Sequence, residues 1–437
     1  MSSAMRRTLL VLLAVALAAV ACTGPGTGSK ASHGRSTRST PDPTASPTPT
    51  ATGWGPTTRE VAEAKHRVGR MTLREKAGSL LMPQFGGHTA TSRSSLNVDS
   101  FRVATITKAI KRYHLGGVIV MQQNVTDARQ VQRLNAGLAA AGRKDAACLP
   151  LLIGVDQEGG SVARVREGAT VFPSARTVGR AGDPALARLL ARDSGEELRA
   201  MGFTLNFAPD ADVGFSNSAI GDRSYAKKPH KAARMVTAAV EGYRRAGIVP
   251  VVKHFPGHGS AVGDSHATLA PVTRSRKRLE RIDLVPFKAA VAHRVPVVLT
   301  GHLDVRAIDP GTPSSLSRKV VHGLLRQDVG FDGVAITDAS TMEPVATYGA
   351  GDAAVRAVRA GEDIVLMPAD VHAAYRGVID AVHSGDLSRA RVDRAATRVT
   401  ALRLYAKRIG SNHPPWSVVH SAAHRADVRK VVRRAGG

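Results

Sequence analysis

Ile248-Val249-Pro250-Val251-Val252 runs directly into Lys253-His254-Phe255-Pro256-Gly257-His258-Gly259-Ser260-Ala261-Val262-Gly263-Asp264-Ser265-His266. The first five residues read as a buried β-strand. A buried strand that ends in Lys, His, Gly and Pro delivers polar groups to a surface. The glycines at 257, 259 and 263 are expected to let the following loop bend and move. In Asp264-Ser265-His266, a carboxylate two residues from an imidazole can hold one ring nitrogen and leave the other free to exchange a proton. His266 is thus a candidate general acid/base, with Asp264 as its orienting partner. Taken alone, the stretch also reads as a solvated Gly-rich loop, or as a zinc site built from His254, His258, Asp264 and His266.

Working outward, the chain alternates short apolar runs with longer helical patterns. The apolar runs are Leu80–Phe85, Gly117–Met121, Leu151–Val155, Thr204–Phe207, Val249–Val252, Val295–Leu299, Gly333–Ile336 and Asp363–Met367. Helical patterns fall between them over Pro184–Met201, Lys231–Ala246, Lys277–His293, Lys319–Asp328 and Ala353–Ala360. A last helix is expected over Leu387–Lys407. Asp183 can cap the helix that opens at Pro184, and Thr72 with Glu75 forms a capping box. Strands alternating with helices imply parallel pairing, and eight units fit an α/β fold of the (β/α)8, TIM-barrel type. An open doubly wound sheet is the alternative, weakened by the lack of a Gly-x-Gly-x-x-Gly turn after the first strand.

In such a barrel the chemistry sits at the C-terminal ends of the strands. Polar residues recur there: Asp156-Gln157-Glu158-Gly159-Gly160 after the third strand, and Asn206-Phe207-Ala208-Pro209 with the later Gly221-Asp222-Arg223-Ser224 after the fourth. Lys253-His254, Thr300-Gly301-His302 and Thr337-Asp338-Ala339 follow the next three. One such end is commonly just a capped loop; several converging on one rim suggest a site. Paired carboxylates suggest glycoside hydrolysis. Asp338 directly ends a buried strand, and that rigidity suits a nucleophile. Asp156 sits in a Gly-flanked turn where it can clamp sugar hydroxyls, with Lys253 and Arg223 adding donors.

The flanking segments have their own character. Arg6 and Arg7 precede an apolar run from Leu9 to Ala21, too short to favour a spanning helix. Residues 1–22 therefore read as a signal segment, with Ala19-Val20-Ala21-Cys22 resembling a lipobox or offering an ordinary cleavage site. Residues 23–58 are rich in Ser, Thr, Pro and Gly and read as a disordered tether. The folded barrel is expected over 59–410, and 411–437 as a basic tail. Cys22 and Cys148 are the only cysteines. With Cys22 lipidated or removed, no internal disulfide is possible, and Cys148 reads as a small buried residue. The formal charge of +26 is spread along the chain. With no nucleic-acid motif present, it suits a protein near anionic lipids or cell-wall polymers rather than one that binds nucleic acid.

From Met71 to Lys407 the sequence resembles glycoside hydrolase family 3, in its β-N-acetylglucosaminidase branch. The resemblance rests on Met71-Thr72-Leu73-Arg74-Glu75-Lys76, Asp156 to Gly160, Leu205 to Pro209, Gly221 to Tyr225, Lys253 to His266, and Phe331-Asp332-Gly333 through Asp338. It implies a single-barrel retaining glycosidase acting on carbohydrate, without cofactor or metal; with the signal segment, the chain reads as an extracytoplasmic monomer, lipid-anchored at Cys22 or secreted. Asp338 would be the nucleophile and the Asp264–His266 dyad the acid/base. Asp156, Arg223, Lys253 and His254 would bind the sugar, a non-reducing terminal GlcNAc of cell-wall fragments. Two residues depart from the family pattern: Ser161 stands where an Arg is frequent, and Ala339-Ser340 where Asp-Leu often follows the nucleophile. A glycoside phosphorylase, a glycosidase of other specificity, a non-catalytic sugar-binding lipoprotein and a metallohydrolase are the competing readings.

Overall fold

The computed structural model describes residues 52–143 and 149–436. The expected signal segment, Cys22, most of the tether and Cys148 lie outside them. Eight parallel strands are labelled here in chain order: β1 Leu81–Met82, β2 Gly117–Val120, β3 Leu152–Val155, β4 Leu205–Asn206, β5 Val249–Phe255, β6 Val297–Thr300, β7 Val334–Thr337 and β8 Val365–Leu366. Each falls within or overlaps one of the apolar runs. Six of them form one curled parallel sheet in the order β7-β6-β5-β4-β3-β2, and β1 pairs with β8. Parallel neighbours need crossovers, and helices supply them. Ala128–Arg143, Pro184–Ala200 and Pro229–Arg245 carry the chain from β2 to β5. The fold is α/β, with the sheet's apolar residues forming the core: Val118, Ile153, Leu205, Val251, Val298 and Ile336 are all buried.

Local signals act as the sequence implies. Thr72 Oγ1 accepts from the Glu75 amide while the Glu75 carboxylate accepts from the Thr72 amide at 2.7 Å. Asp183 caps the helix that opens with Pro184. The pattern expected as one helix over 277–293 is broken into Arg276–Arg281 and Leu284–Ala292. The break turns Asp283 inward, where its buried carboxylate takes two hydrogen bonds from Arg274 at 2.8 and 2.7 Å.

Both ends of the folded part differ from expectation. Trp54 is buried and Thr57 caps the helix Thr58–Arg70, so packing begins before residue 59. Residues 422–436, expected as basic tail, form the helix Ala422–Gly436. His424, Val428, Val431 and Ala435 line one face; Val431 is fully buried among Phe172, Val178, Leu186 and Met235. Arg429, Lys430, Arg433 and Arg434 stay exposed. The apolar stripe at spacings of four, three and four is an amphipathic signature masked by the density of charge around it.

One buried charge ties the end of the sheet together. Asp363, just before β8, accepts from the Ala335 amide on β7 at 3.2 Å, from Arg326 at 2.7 Å and from Arg391 at 3.1 Å. Burial pushes its carboxyl up, but Arg326, Arg398 and Arg391 outweigh this and hold it below the usual range. Asp363→Ala strands two guanidinium groups that are themselves largely buried. We expect it to destabilise the fold by about 3–5 kcal/mol, read from urea unfolding midpoints. A loss under about 1 kcal/mol would mean that the network contributes little.

Candidate active site

The strand that opens the site is longer than its apolar run. β5 continues through Lys253, His254 and Phe255. Lys253 and His254 are therefore fixed strand residues, 3% and 5% exposed, rather than members of a loop. Burying a lysine requires compensation, and the neighbouring strand ends provide it. Lys253 Nζ lies 2.8 Å from Asp156 Oδ1 and 2.7 Å from Glu158 Oε1. Glu158 also receives both arms of the Arg223 guanidinium, each at 2.9 Å. Burial alone would raise the Glu158 carboxyl; Arg223 and Lys253 outweigh it and hold it well below the usual carboxylate range.

The network continues to the second histidine. Arg223 Nη2 lies 3.1 Å from His254 Nε2. A guanidinium can only donate, so Nε2 accepts and His254 Nδ1 donates to Asp212 Oδ2 at 2.8 Å. Asp212 Oδ1 also accepts from the His258 amide. Asp210 lies beside them, fully buried, and burial together with the Asp212 charge pushes its carboxyl well up. The four sugar-site candidates Asp156, Arg223, Lys253 and His254 are thus brought into one hydrogen-bonded group.

Asp338 follows β7, its amide donating to Thr300 O at 2.8 Å and its Oδ1 accepting from the Ala339 amide at 2.8 Å. Burial pushes its carboxyl up, but the imidazoles of His254 and His302, the Ala339 amide and Lys253 outweigh it, so the anion is favoured. His302, fully buried, is clamped between Ser315 Oγ at 2.7 Å and Ala339 O at 3.0 Å. It is a wall of the site, fixing the turn in which Ala339 departs from the family pattern.

Residues 257–266 form a flap over this rim. Asp264 Oδ1 accepts from His266 Nδ1 at 2.6 Å and from the His266 amide at 2.9 Å. Those two donors hold the Asp264 carboxyl below its ordinary range. The His266 side chain is 65% exposed, so its Nε2 edge is available to a ligand. The flap rests on the rim through the Glu343 amide, which donates to His266 O at 3.2 Å; Glu343 opens the short helix that follows Asp338. The dyad and Asp338 are therefore at the same end of the sheet.

Two of the flap's three glycines are held by packing. A Cβ on Gly257, whose φ is +128°, would lie 2.6 Å from Asp283 Cβ, and one on Gly259 would lie 2.4 Å from Val213 O. These two are needed for close packing of the flap base, which His258 Nε2 also pins to Ser265 Oγ at 2.7 Å. Gly263 alone has space around it, at φ +92°. The zinc set weighed from sequence does not assemble. Among the described residues, donors close enough to share a cation occur as Asp210–Asp212–His254 and as Asp193–Glu196–His424. In the first, the Arg223 guanidinium already sits against His254 and Asp210.

The sequence placed Glu158 and His302 among the polar strand ends but assigned them no role, and it did not single out Asp210 or Asp212. Glu158 lay inside the quoted Asp156–Gly160 turn, and Asp210-Ala211-Asp212 directly continues the polar end of β4. The signal was there in strand-end position, but nothing in one sequence says which of two nearby carboxylates meets the lysine.

The family model for the glycosyl hydrolase family 3 N-terminal domain matches residues 72–402. Beta-hexosaminidase LpqI of Mycobacterium tuberculosis is 36% identical over 310 residues, covering 67% of this chain and 77% of that protein. Beta-hexosaminidase A of Pseudoalteromonas piscicida is 32% identical over 322 residues, 68% of this chain but only 54% of that longer protein. The solved structure of a glycoside hydrolase family 3 beta-N-acetylglucosaminidase from Paenibacillus sp. superposes with a TM-score of 0.75 at 36% identity, covering 84% of this chain and 69% of that one.

The ion-pair geometry predicts a pH signature. Glu158 has a folded pKa below its ordinary 4.5, so its contribution to stability is complete above that pH and is lost as the pH falls towards the depressed value. The stability difference between the wild type and Glu158→Gln should therefore be largest near neutrality and shrink below about pH 4.5. Parallel urea titrations from pH 3 to 7 measure it. A constant difference across that range would show that the carboxylate's charge is not what matters.

Proposed function

The chain belongs to glycosyl hydrolase family 3, and from that membership we propose a retaining β-N-acetylglucosaminidase that removes non-reducing terminal GlcNAc, with peptidoglycan-derived fragments as its substrates. The observation that carries the reading is the flap: an Asp-held imidazole latched, main chain to main chain, beside the strand end that bears Asp338. We read the curled sheet as a closed (β/α)8 barrel. In support, Ile336 bridges to Ile364 beside β8, β8 pairs with β1, and the Ile119 amide of β2 donates to Pro83 O just past β1 at 3.0 Å.

In this mechanism Asp338, kept anionic by its surroundings, attacks the anomeric carbon. His266 Nε2–H protonates the departing glycosidic oxygen, and a covalent glycosyl-enzyme forms. The same imidazole then takes a proton from water, which displaces Asp338 and restores both groups. Asp264 fixes the ring with Nε2 outward and stabilises the imidazolium. Asp156, Lys253, Arg223 and His254 grip the sugar hydroxyls, with Glu158 holding Lys253 and Arg223 at fixed separation. Release of product requires the flap to lift. The proposed location is extracytoplasmic, on a lipid at Cys22; among the described residues no helix is long and apolar enough to cross a membrane.

Purified protein should hydrolyse aryl β-GlcNAc and leave aryl β-glucoside nearly untouched. The reverse preference would overturn the sugar assignment, and a sugar phosphate as main product in phosphate buffer would make the enzyme a phosphorylase. Asp338→Ala should abolish turnover. His266→Ala should lose roughly 10²–10⁴-fold with a poor leaving group and far less with a dinitrophenyl one. Equal losses on both substrates would remove His266 from the proton-donor role.

A further inference from the structure

Away from the rim, the helix Pro184–Ala200 faces the C-terminal helix Ala422–Gly436 across a cluster that the glycosidase chemistry does not use. Asp193, Glu196 and Glu197 share one face of the first helix, as residues three and four apart do. His424 and Asp427 come from the second. One donor atom each from Asp193, Glu196 and His424 lies within 4.8 Å of the others. Asp193 and His424 are buried, at 0% and 5% exposure. Arg192, at the solvent edge, takes Asp193 Oδ1 at 2.9 Å. Asp193 Oδ2 is left buried with no hydrogen-bond partner. A buried carboxylate oxygen without a partner is costly and calls for a ligand.

The histidine is prepared for one. His424 Nδ1 lies 2.9 Å from Glu197 Oε1. Glu197 is itself fixed by the Thr170 amide at 2.9 Å and the His420 amide at 3.1 Å. The other nitrogen, Nε2, faces Glu196 Oε2 3.5 Å away. Burial pulls the imidazole pKa down, but the two carboxylates outweigh it and raise it to about 9, so the ring is held protonated and a cation would bind there by displacing the Nε2 proton. A carboxylate that orients the far nitrogen of an imidazole is the usual support of a metal-ligating histidine.

We infer that Asp193, Glu196 and His424, oriented by Glu197, form a binding site for a divalent transition cation of the zinc class, which joins the C-terminal helix to the Pro184–Ala200 helix. One imidazole nitrogen with two carboxylate oxygens suits zinc; magnesium and calcium prefer all-oxygen shells. The side chain of Glu196 is 30% exposed, which gives the ion a way in from solvent. The site also touches the loop beyond Asp156, because Thr170 is held by Glu197 and Ala169 O accepts from His420.

The test uses the chelator-treated full chain, titrated with zinc chloride or magnesium chloride while calorimetry and thermal unfolding are followed. We expect zinc to bind with one site at this cluster and to raise the unfolding temperature by several degrees, with no rise from magnesium. Glu196→Gln, at a partly exposed position where folding is safe, should weaken that binding at least tenfold, and so should His424→Gln. Hydrolysis of aryl β-GlcNAc by either metal-free variant should match metal-free wild type. The inference fails if zinc gives the wild type no thermal shift, or if Glu196→Gln binds and shifts as the wild type does. The latter outcome would place the ion outside this cluster. Failure of either kind leaves the glycosidase reading untouched.

Discussion

Asp156, Glu158, Lys253 and Arg223 are four charged groups held together where water is scarce, and the geometry of the rim follows from keeping them paired. Two cations face two anions, so the group is close to neutral as a whole. Each member alone would be expensive to bury. Lys253 is 3% exposed because it sits within a strand, and it is tolerable there only because two carboxylates from the β3 turn come to meet it. That requirement fixes the turn at 156–160 relative to β5, and Arg223 then brings the loop after β4 into the same arrangement.

From these four charges a chain of contacts runs to the flap. Arg223 meets His254, His254 meets Asp212, and Asp212 accepts from the His258 amide. His258 in turn holds Ser265, next to the Asp264–His266 pair. The groups proposed to hold the sugar and the group proposed to move the proton are thus ends of one connected system. Preorganisation of this kind lets dipoles and charges face a transition state without rearranging.

Much of the fold was legible because the eight apolar runs are short and separated by helical patterns, and because the caps at Thr72 and Asp183 mark helix starts without reference to tertiary contacts. What was hidden depends on partners distant in sequence. Asp212 reads as one more loop carboxylate until His254 lies against it. Gly257 and Gly259 read as hinge residues, since sequence cannot show that Asp283 and Val213 press against them. The C-terminal helix was read as a solvated tail, because its apolar stripe only acquires meaning when Phe172 and Met235 are placed beneath Val431. The single expected helix over 277–293 likewise broke where Asp283 turned inward to Arg274.

The contact between the Glu343 amide and His266 O joins two main-chain atoms. Closure of the flap is therefore blind to the side chain at position 343, provided that residue is not proline. The rim can then change in charge or bulk while the group proposed to donate the proton keeps its resting place. On the proposed mechanism, acceptance of new aglycones can thus diverge among descendants of this sequence without rebuilding the groups that do the chemistry.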